Sequence, residues 1–577
     1  MKYITNFLFG FLIVILLSAL PICAATYYVN ATNGNDNNDG LSPSTAWKTM
    51  AKVNDSFFQP GDFVLFKRGE IWREQLIVPS SGLPNSPIII GAYGVGNKPV
   101  ITGPDIVIEW KGDDMNNVWY AVLPVSVAPD VLNSYLRPLV FFDGIKGTEV
   151  KSKIELDSEF QWYGQDKTLY IYSKKNPEIA YTNPGIEVPI RKDDIVIDNR
   201  DYENRTHKYI TLQDIHIRHV RRWLVDGINS KHFTISNCML EYASPGDANN
   251  DTGGILLNHN TTNATVENCI IHDIGSGVYI GTSGGTGKEY SSTGIIVRNN
   301  EIYNAHSGIN IKALSVNNRV EGNYIHDITT QGIRAGGSEN KGNVITRNFI
   351  ENCAEDGIQL YNRALVTYNI IKSSYTGVII ISKTNPHAYD INVGDNNIIY
   401  NNVIHDNIEG ILLHNFYGDI PENNVVKNNV ISECSRAIRF SGGAPPGRHG
   451  NTFDYNCYYH CNILRFGNPD AITFEQWKAA YGGDSKSLIS NPMFISSNPS
   501  KAADFYLQSN SKCVDAGTDV GLTRDFAGNP VPHGVGFDVG SYEYNGAHDS
   551  NPPAQPQNLR IRSILLDDET AAITLPM

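Results

Sequence analysis

One recurring pattern constrains the chain more than any other feature: an Asn, an apolar residue two positions on, and eight or nine residues after the Asn a Gly that opens an apolar-x-apolar stretch. The Asn positions are Asn237, Asn268, Asn300, Asn323, Asn348, Asn369, Asn402, Asn429 and Asn456, giving steps of 31, 32, 23, 25, 21, 33, 27 and 27. Units this short cannot bury a face alone, so they must stack on one another as a solenoid. The irregular period implies loops of variable length, which suits an all-β, right-handed parallel β-helix better than a strict hexapeptide helix.

The Gly positions sharpen this reading. Gly277, Gly308, Gly332, Gly357, Gly377 and Gly410 form a ladder, with Ala437 in the last place. One residue on stand Val278, Ile309, Ile333, Ile358, Val378, Ile411 and Ile438; three on stand Ile280, Ile311, Ala335, Leu360, Ile380, Leu413 and Phe440. All fourteen are apolar, and the period of two in a strand predicts that they share the inner face, with the residues two and four after the Gly facing out. The Asn column is expected to be scaffold, because Asn tolerates a left-handed turn and stacked amides can bond from coil to coil.

Around the central repeats at 206–465, other segments divide the chain of 577 residues. Residues 1–25 have the charged, apolar and small-residue order of a secretory signal, so an exported protein at the cell surface or beyond it is expected. Residues 26–104 are expected to form the first coils, with a capping helix near Ala46 to Val53, and 105–205 an inserted aromatic-rich β subdomain with a turn at Gly164–Lys167. Residues 466–546 should end the β-helix, 547–557 read as a Pro-rich linker, and 558–577 begin a further domain.

Seven Cys lie outside the signal, none with metal spacing, and they read as packing residues, with Cys457 and Cys461 a candidate disulfide. The formal net charge of -14 argues against a nucleic-acid partner. The His-Asp pairs at 272–273, 326–327 and 405–406 recur at equivalent turns, which marks them as turn residues.

The opening residues (Tyr27-Tyr28-Val29, Gly34-Asn35-Asp36, Asp39-Gly40, Pro43, Trp47-Lys48-Thr49) resemble bacterial extracellular right-handed β-helix proteins of the pectate-lyase-like superfamily. The stretch from Asp515 to Tyr544 is similar to the C-terminal end of many such surface proteins, and Pro552 to Ile561 resembles the first strand of a fibronectin type III domain. The superfamily includes polysaccharide lyases, glycoside hydrolases, epimerases and non-catalytic surface proteins, so the resemblance implies a polysaccharide partner and leaves the chemistry open. No membrane span is expected, and a monomer is.

Outward positions two after the Gly are Tyr279, Asn310, Arg334, Gln359, Ile379, Leu412 and Arg439; four after are Gly281, Lys312, Gly336, Tyr361, Ile381, His414 and Ser441. With neighbouring coils about 4.8 Å apart, Lys312 and Arg334 are expected side by side. Two adjacent cations are unfavourable unless an anion binds, and each favours the uncharged form of the other. This suits β-elimination of an acidic polysaccharide: Arg334 neutralises a uronate carboxylate, Lys312 takes the C5 proton, and Tyr361 or His306 protonates the leaving oxygen. Asn310, Gln359, Tyr279, His414 and Arg439 are the substrate-binding candidates.

A lysine base beside an arginine resembles chondroitinase B and alginate lyases. Many β-helix lyases also hold calcium between clustered carboxylates, but here only Glu355 and Asp356 stand near the patch. The alternatives are a glycoside hydrolase using Glu355 or Asp356 with Glu409, two coils apart and so leaning towards inversion, and a non-catalytic binding or adhesion protein, for which the outward Ile379, Ile381 and Leu412 speak.

Overall fold

A computed structural model describes residues 24–123, 139–189, 193–196, 207–243, 252–281, 291–312, 314–336, 342–384, 391–392, 394–415, 420–441, 449–461, 464–466 and 471–546. Most of the expected signal and all of the linker and fibronectin-like segments lie outside the described residues. The chain divides into two compact units, the first running to Val266 with Asp273–Thr282 and Gly287–Ile295, the second holding the rest.

In the first unit, strands Thr26–Val29, Phe63–Lys67, Ile88–Tyr93, Lys208–Gln213 and Lys231–Ser236 stack in parallel register. The helix expected near residues 46–53 is shorter, Met50–Asn54, capped by the Thr49 side chain, and buries Met50 and Val53. Residues 104–189 pair mainly antiparallel, with one parallel pair that sets Thr148 opposite Gln161. Trp162 pairs with Ile171 and Gln165 with Thr168, so the turn is Asp166-Lys167, with Asp166 at φ 54. Trp162, Phe142, Leu169, Ile171 and Val188 share a core within this stretch.

In the second unit, six strands carry the Gly ladder: β1 (Glu301–Ile311), β2 (Ile333–Ala335), β3 (Asp356–Leu360), β4 (Thr376–Thr384), β5 (Glu409–Asn415) and β6 (Arg436–Ser441). Each pairs in parallel with the next. All fourteen predicted inward residues are no more than 2% exposed, so the apolar rows form the core. Gly is needed where coils approach most closely: a Cβ on Gly377 would stand 2.5 Å from Ile404 Cγ2 and 2.8 Å from the Gly410 carbonyl oxygen.

The Asn column is a hydrogen-bonded ladder. Nδ2 of Asn300, Asn323, Asn348, Asn369, Asn402 and Asn429 each donates to Oδ1 of the next Asn at 2.9–3.0 Å, ending on Asn456. A second ladder runs through Asn397, Asn424 and Asn451.

The left-handed turn, however, belongs to the residue before each ladder Asn: Asn299, Arg347, Tyr368, Asn401, Asn428 and Tyr455 all have φ between 54 and 57°. Asn237 and Asn268 occupy this turn position themselves, and the Cys269 N–H donates to Asn300 Oδ1. The repeat as read from the sequence therefore slips by one residue at its start. The His-Asp pairs are turn residues, with Asp273, Asp327 and Asp406 at φ 53–55°.

Beyond the repeats, the helix Phe474–Tyr481 starts with a Thr473/Gln476 capping box, a start signal present in the sequence. Residues 491–543 then clasp the coil stack: Phe494, Phe505, Leu507, Cys513, Val539 and Tyr542 pack against Phe349, Ile370, Val403, Val430 and Cys457. All seven described Cys are free thiols, so the expected Cys457–Cys461 bridge is absent. Cys457 lies in the clasp core with Cys513, while Cys461 bonds the Ile431 carbonyl. No helix among the described residues is long and apolar enough to cross a membrane.

Candidate functional site

The outward rows of β1–β6 carry the polar side chains picked out from the sequence, but they are far less exposed than a solvated sheet face would be. Asn310 is 4%, Gln359 8% and Tyr361 5% exposed, and Ile379, Ile381 and Leu412 join Tyr361 in a buried apolar cluster. Alternation tells which side of a strand a residue takes, not whether that side is covered. Tyr279, in the first unit, is buried with its ring 5.8 Å from that of Trp223.

The cationic pair is rearranged. Arg334 stands opposite Asn310 on one side and Gln359 on the other, while Lys312 comes level with Gly336, whose N–H bonds the Ile311 carbonyl. Lys312 and Arg334 are therefore diagonal rather than side by side. Arg334 turns to Tyr361 instead: Nη2 donates to the phenol oxygen at 3.2 Å and the guanidinium carbon lies 5.4 Å from the ring centre. The Tyr361 ring covers Gly336, where a Cβ would meet it at 2.8 Å. His306 sits apart, exposed within β1 two residues before the Gly, with Nδ1 3.1 Å from Thr329 Oγ1.

A second constellation forms on the residues just before the Gly. Asp356, Thr376 and Glu409 fall in one row across β3, β4 and β5, with Arg436 next on β6. Asp356 is 7% exposed, and burial pushes its carboxyl up to about 6 against a hydrogen bond from Thr376 and with help from the Glu355 charge. Gln359 Nε2 lies 3.5 Å from Asp356 Oδ2. Glu355 itself is exposed and accepts from Gln331, so only Asp356 enters the row.

Glu409 is fully buried. Its Oε1 takes both Arg436 and Arg439, the latter at 2.6 Å, while Oε2 is buried with no hydrogen-bond partner among the described residues. Arg439 is thus held by Glu409, a tie that the sequence did not disclose. His414 Nδ1 lies 2.6 Å from Ser441 Oγ, and burial and then the Arg439 charge push its pKa down. Among the described residues, no three His, Cys, Asp or Glu side chains gather to hold a metal ion.

Comparison with known proteins bears on the fold. Residues 224–393 match the family described as "Right handed beta helix region". A stretch of 100 residues is 39% identical to a lacto-N-biosidase of Bifidobacterium longum, covering 16% of this chain and 6% of that protein's length. The structure of XylC with xylose is similar at a TM-score of 0.57 and 15% identity, over 81% of this chain and 87% of that one. A glycoside hydrolase is similar at 0.52 and 14%, over 80% and 99%. Together with the parallel stacking and the buried rows, these likenesses establish that the protein is built on a right-handed parallel β-helix.

Proposed function

We propose that this protein is an exported glycoside hydrolase whose catalytic carboxyl groups are Asp356 and Glu409. The observation that carries the reading is the row Asp356–Thr376–Glu409, in which two acids share a face in unlike surroundings. Asp356 is held towards its protonated form by burial and suits the general acid. Glu409 is paired with two guanidinium groups and keeps one oxygen with unused acceptor capacity, which suits activation of a water. Two coil steps place the pair about 10 Å apart along the stack, close to the spacing that leaves room for water and gives inversion. The stretch shared with a protein named lacto-N-biosidase supports the same class.

A second reading, β-elimination of an acidic polysaccharide, is favoured by the Arg334–Tyr361 contact, which sets a cation against a phenol oxygen. Incubating the protein with neutral and uronic-acid polysaccharides, while recording reducing ends and the ultraviolet absorbance of unsaturated products, separates the two. Hydrolysis yields reducing ends without absorbance, lost in both Asp356→Asn and Glu409→Gln. Absorbance that survives those changes but not Tyr361→Phe replaces this reading with the lyase.

A further inference from the structure

A cleft of about 780 Å³ opens on another face of the second unit, away from the Asp356–Glu409 row. Its floor is a row of outward residues from four successive coils, Lys372, His405, Ser432 and Tyr459, which stand in register. Three coil steps make this floor about 14 Å long. The facing wall is the segment 491–499 with Gln508, part of the C-terminal clasp. The volume falls within the range of small-molecule sites.

We propose that this cleft binds a neutral oligosaccharide. Its lining mixes hydrogen-bonding groups with an aromatic edge, as a ligand with hydroxyls around an apolar ring face requires. Tyr459 is half-buried, stacks on His460 with ring centres 3.9 Å apart, and has its phenol oxygen fixed by Asn491 Nδ2 at 3.1 Å. His405 Nδ1 is 2.9 Å from Ser432 Oγ, and burial pushes its pKa down, so the floor offers an uncharged imidazole. Phe494 closes one side, 6.0 Å from the His405 ring.

Charge decides against an acidic sugar. Lys372 is engaged by Glu351 at 3.1 Å, and the cleft is also lined by Asp406 and Glu433, the latter paired with His460. Carboxylates thus outnumber the cation, and a uronate would meet net repulsion. The mixed polar lining is equally unlike the dry, apolar centre of a protein interface.

Affinity electrophoresis of the intact protein in gels containing arabinoxylan, galactan, glucomannan or mixed-linkage β-glucan tests the proposal, with polygalacturonate as the charged comparison. Migration should be retarded by at least one neutral polymer, and Tyr459→Ala and Gln508→Ala should each weaken that retardation at least fivefold. Retardation in none of the neutral gels, retardation by polygalacturonate alone, or retardation undiminished in both variants would overturn it. Circular dichroism checks each variant's fold, and Gln508→Ala, which alters no strand residue, carries the test should Tyr459→Ala misfold.

Discussion

Asp356 illustrates a side chain whose placement works against stability. Its carboxyl is buried beside the Glu355 charge and is pushed up to about 6. A group whose folded pKa is raised contributes stability below its unfolded pKa and loses that contribution as pH rises through the folded value. A displacement of roughly two units corresponds to about 3 kcal/mol. Asp356→Asn removes the buried charge, so it is expected to melt higher than the unaltered protein at pH 7.5 and about equally at pH 4, by calorimetry. On the proposed hydrolase reading, in which Asp356 is the general acid, the rate should fall above about pH 6, and Asp356→Asn should lower kcat by about 10²- to 10⁴-fold. A variant that loses stability at pH 7.5 would show that the carboxylate is a structural partner instead.

At the scale of the coil, the inward rows and the Asn column were legible because both depend on local geometry. Alternation fixes the side of Val378 and Ile380, and the close approach at Gly377 excludes a larger residue. The covering of Gln359 and Tyr361, the swing of Arg334 onto Tyr361, and the clamp of Arg436 and Arg439 on Glu409 were not legible. They depend on register between coils 21 to 33 residues apart and on what packs over the face, which no local pattern encodes. The Asp356–Glu409 row was visible as an alternative, because both acids stand next to their coil's Gly.

The ladder also makes a quantitative expectation. Asn402 bonds Asn429 through its backbone and side chain, donates to the Val366 and Tyr400 carbonyls, and accepts from Asn369. Asn402→Ala strands several buried groups, each worth about 1–3 kcal/mol, so urea denaturation should show a loss of about 3 kcal/mol or more. A loss below 0.5 kcal/mol, the scale of ordinary surface substitutions, would mean the ladder is decoration.

For the molecule as a whole, the C-terminal clasp ties the coil stack together. Asn401 Nδ2 donates to the Asp538 and Gly540 carbonyls, Asn428 to that of Thr518, and Arg347 to that of Asp525. The clasp holds Asp538, pushed up to about 6, and Glu543, pushed up to about 7, both chiefly by burial. Raised carboxyls contribute stability at low pH that is lost as pH rises through these values. The melting temperature should therefore fall between pH 5.5 and 8, and Asp538→Asn should flatten that slope; an unchanged slope would place the pH response elsewhere.

The central claim is that Asp356 and Glu409 act as a pair from positions two coils apart. It is tested most directly by following the anomeric configuration of the first product by proton NMR, with a glycan that the protein cleaves. Inversion, lost together with cleavage in Asp356→Asn and Glu409→Gln, is the predicted result. Retention of configuration, or an unsaturated product, would contradict it.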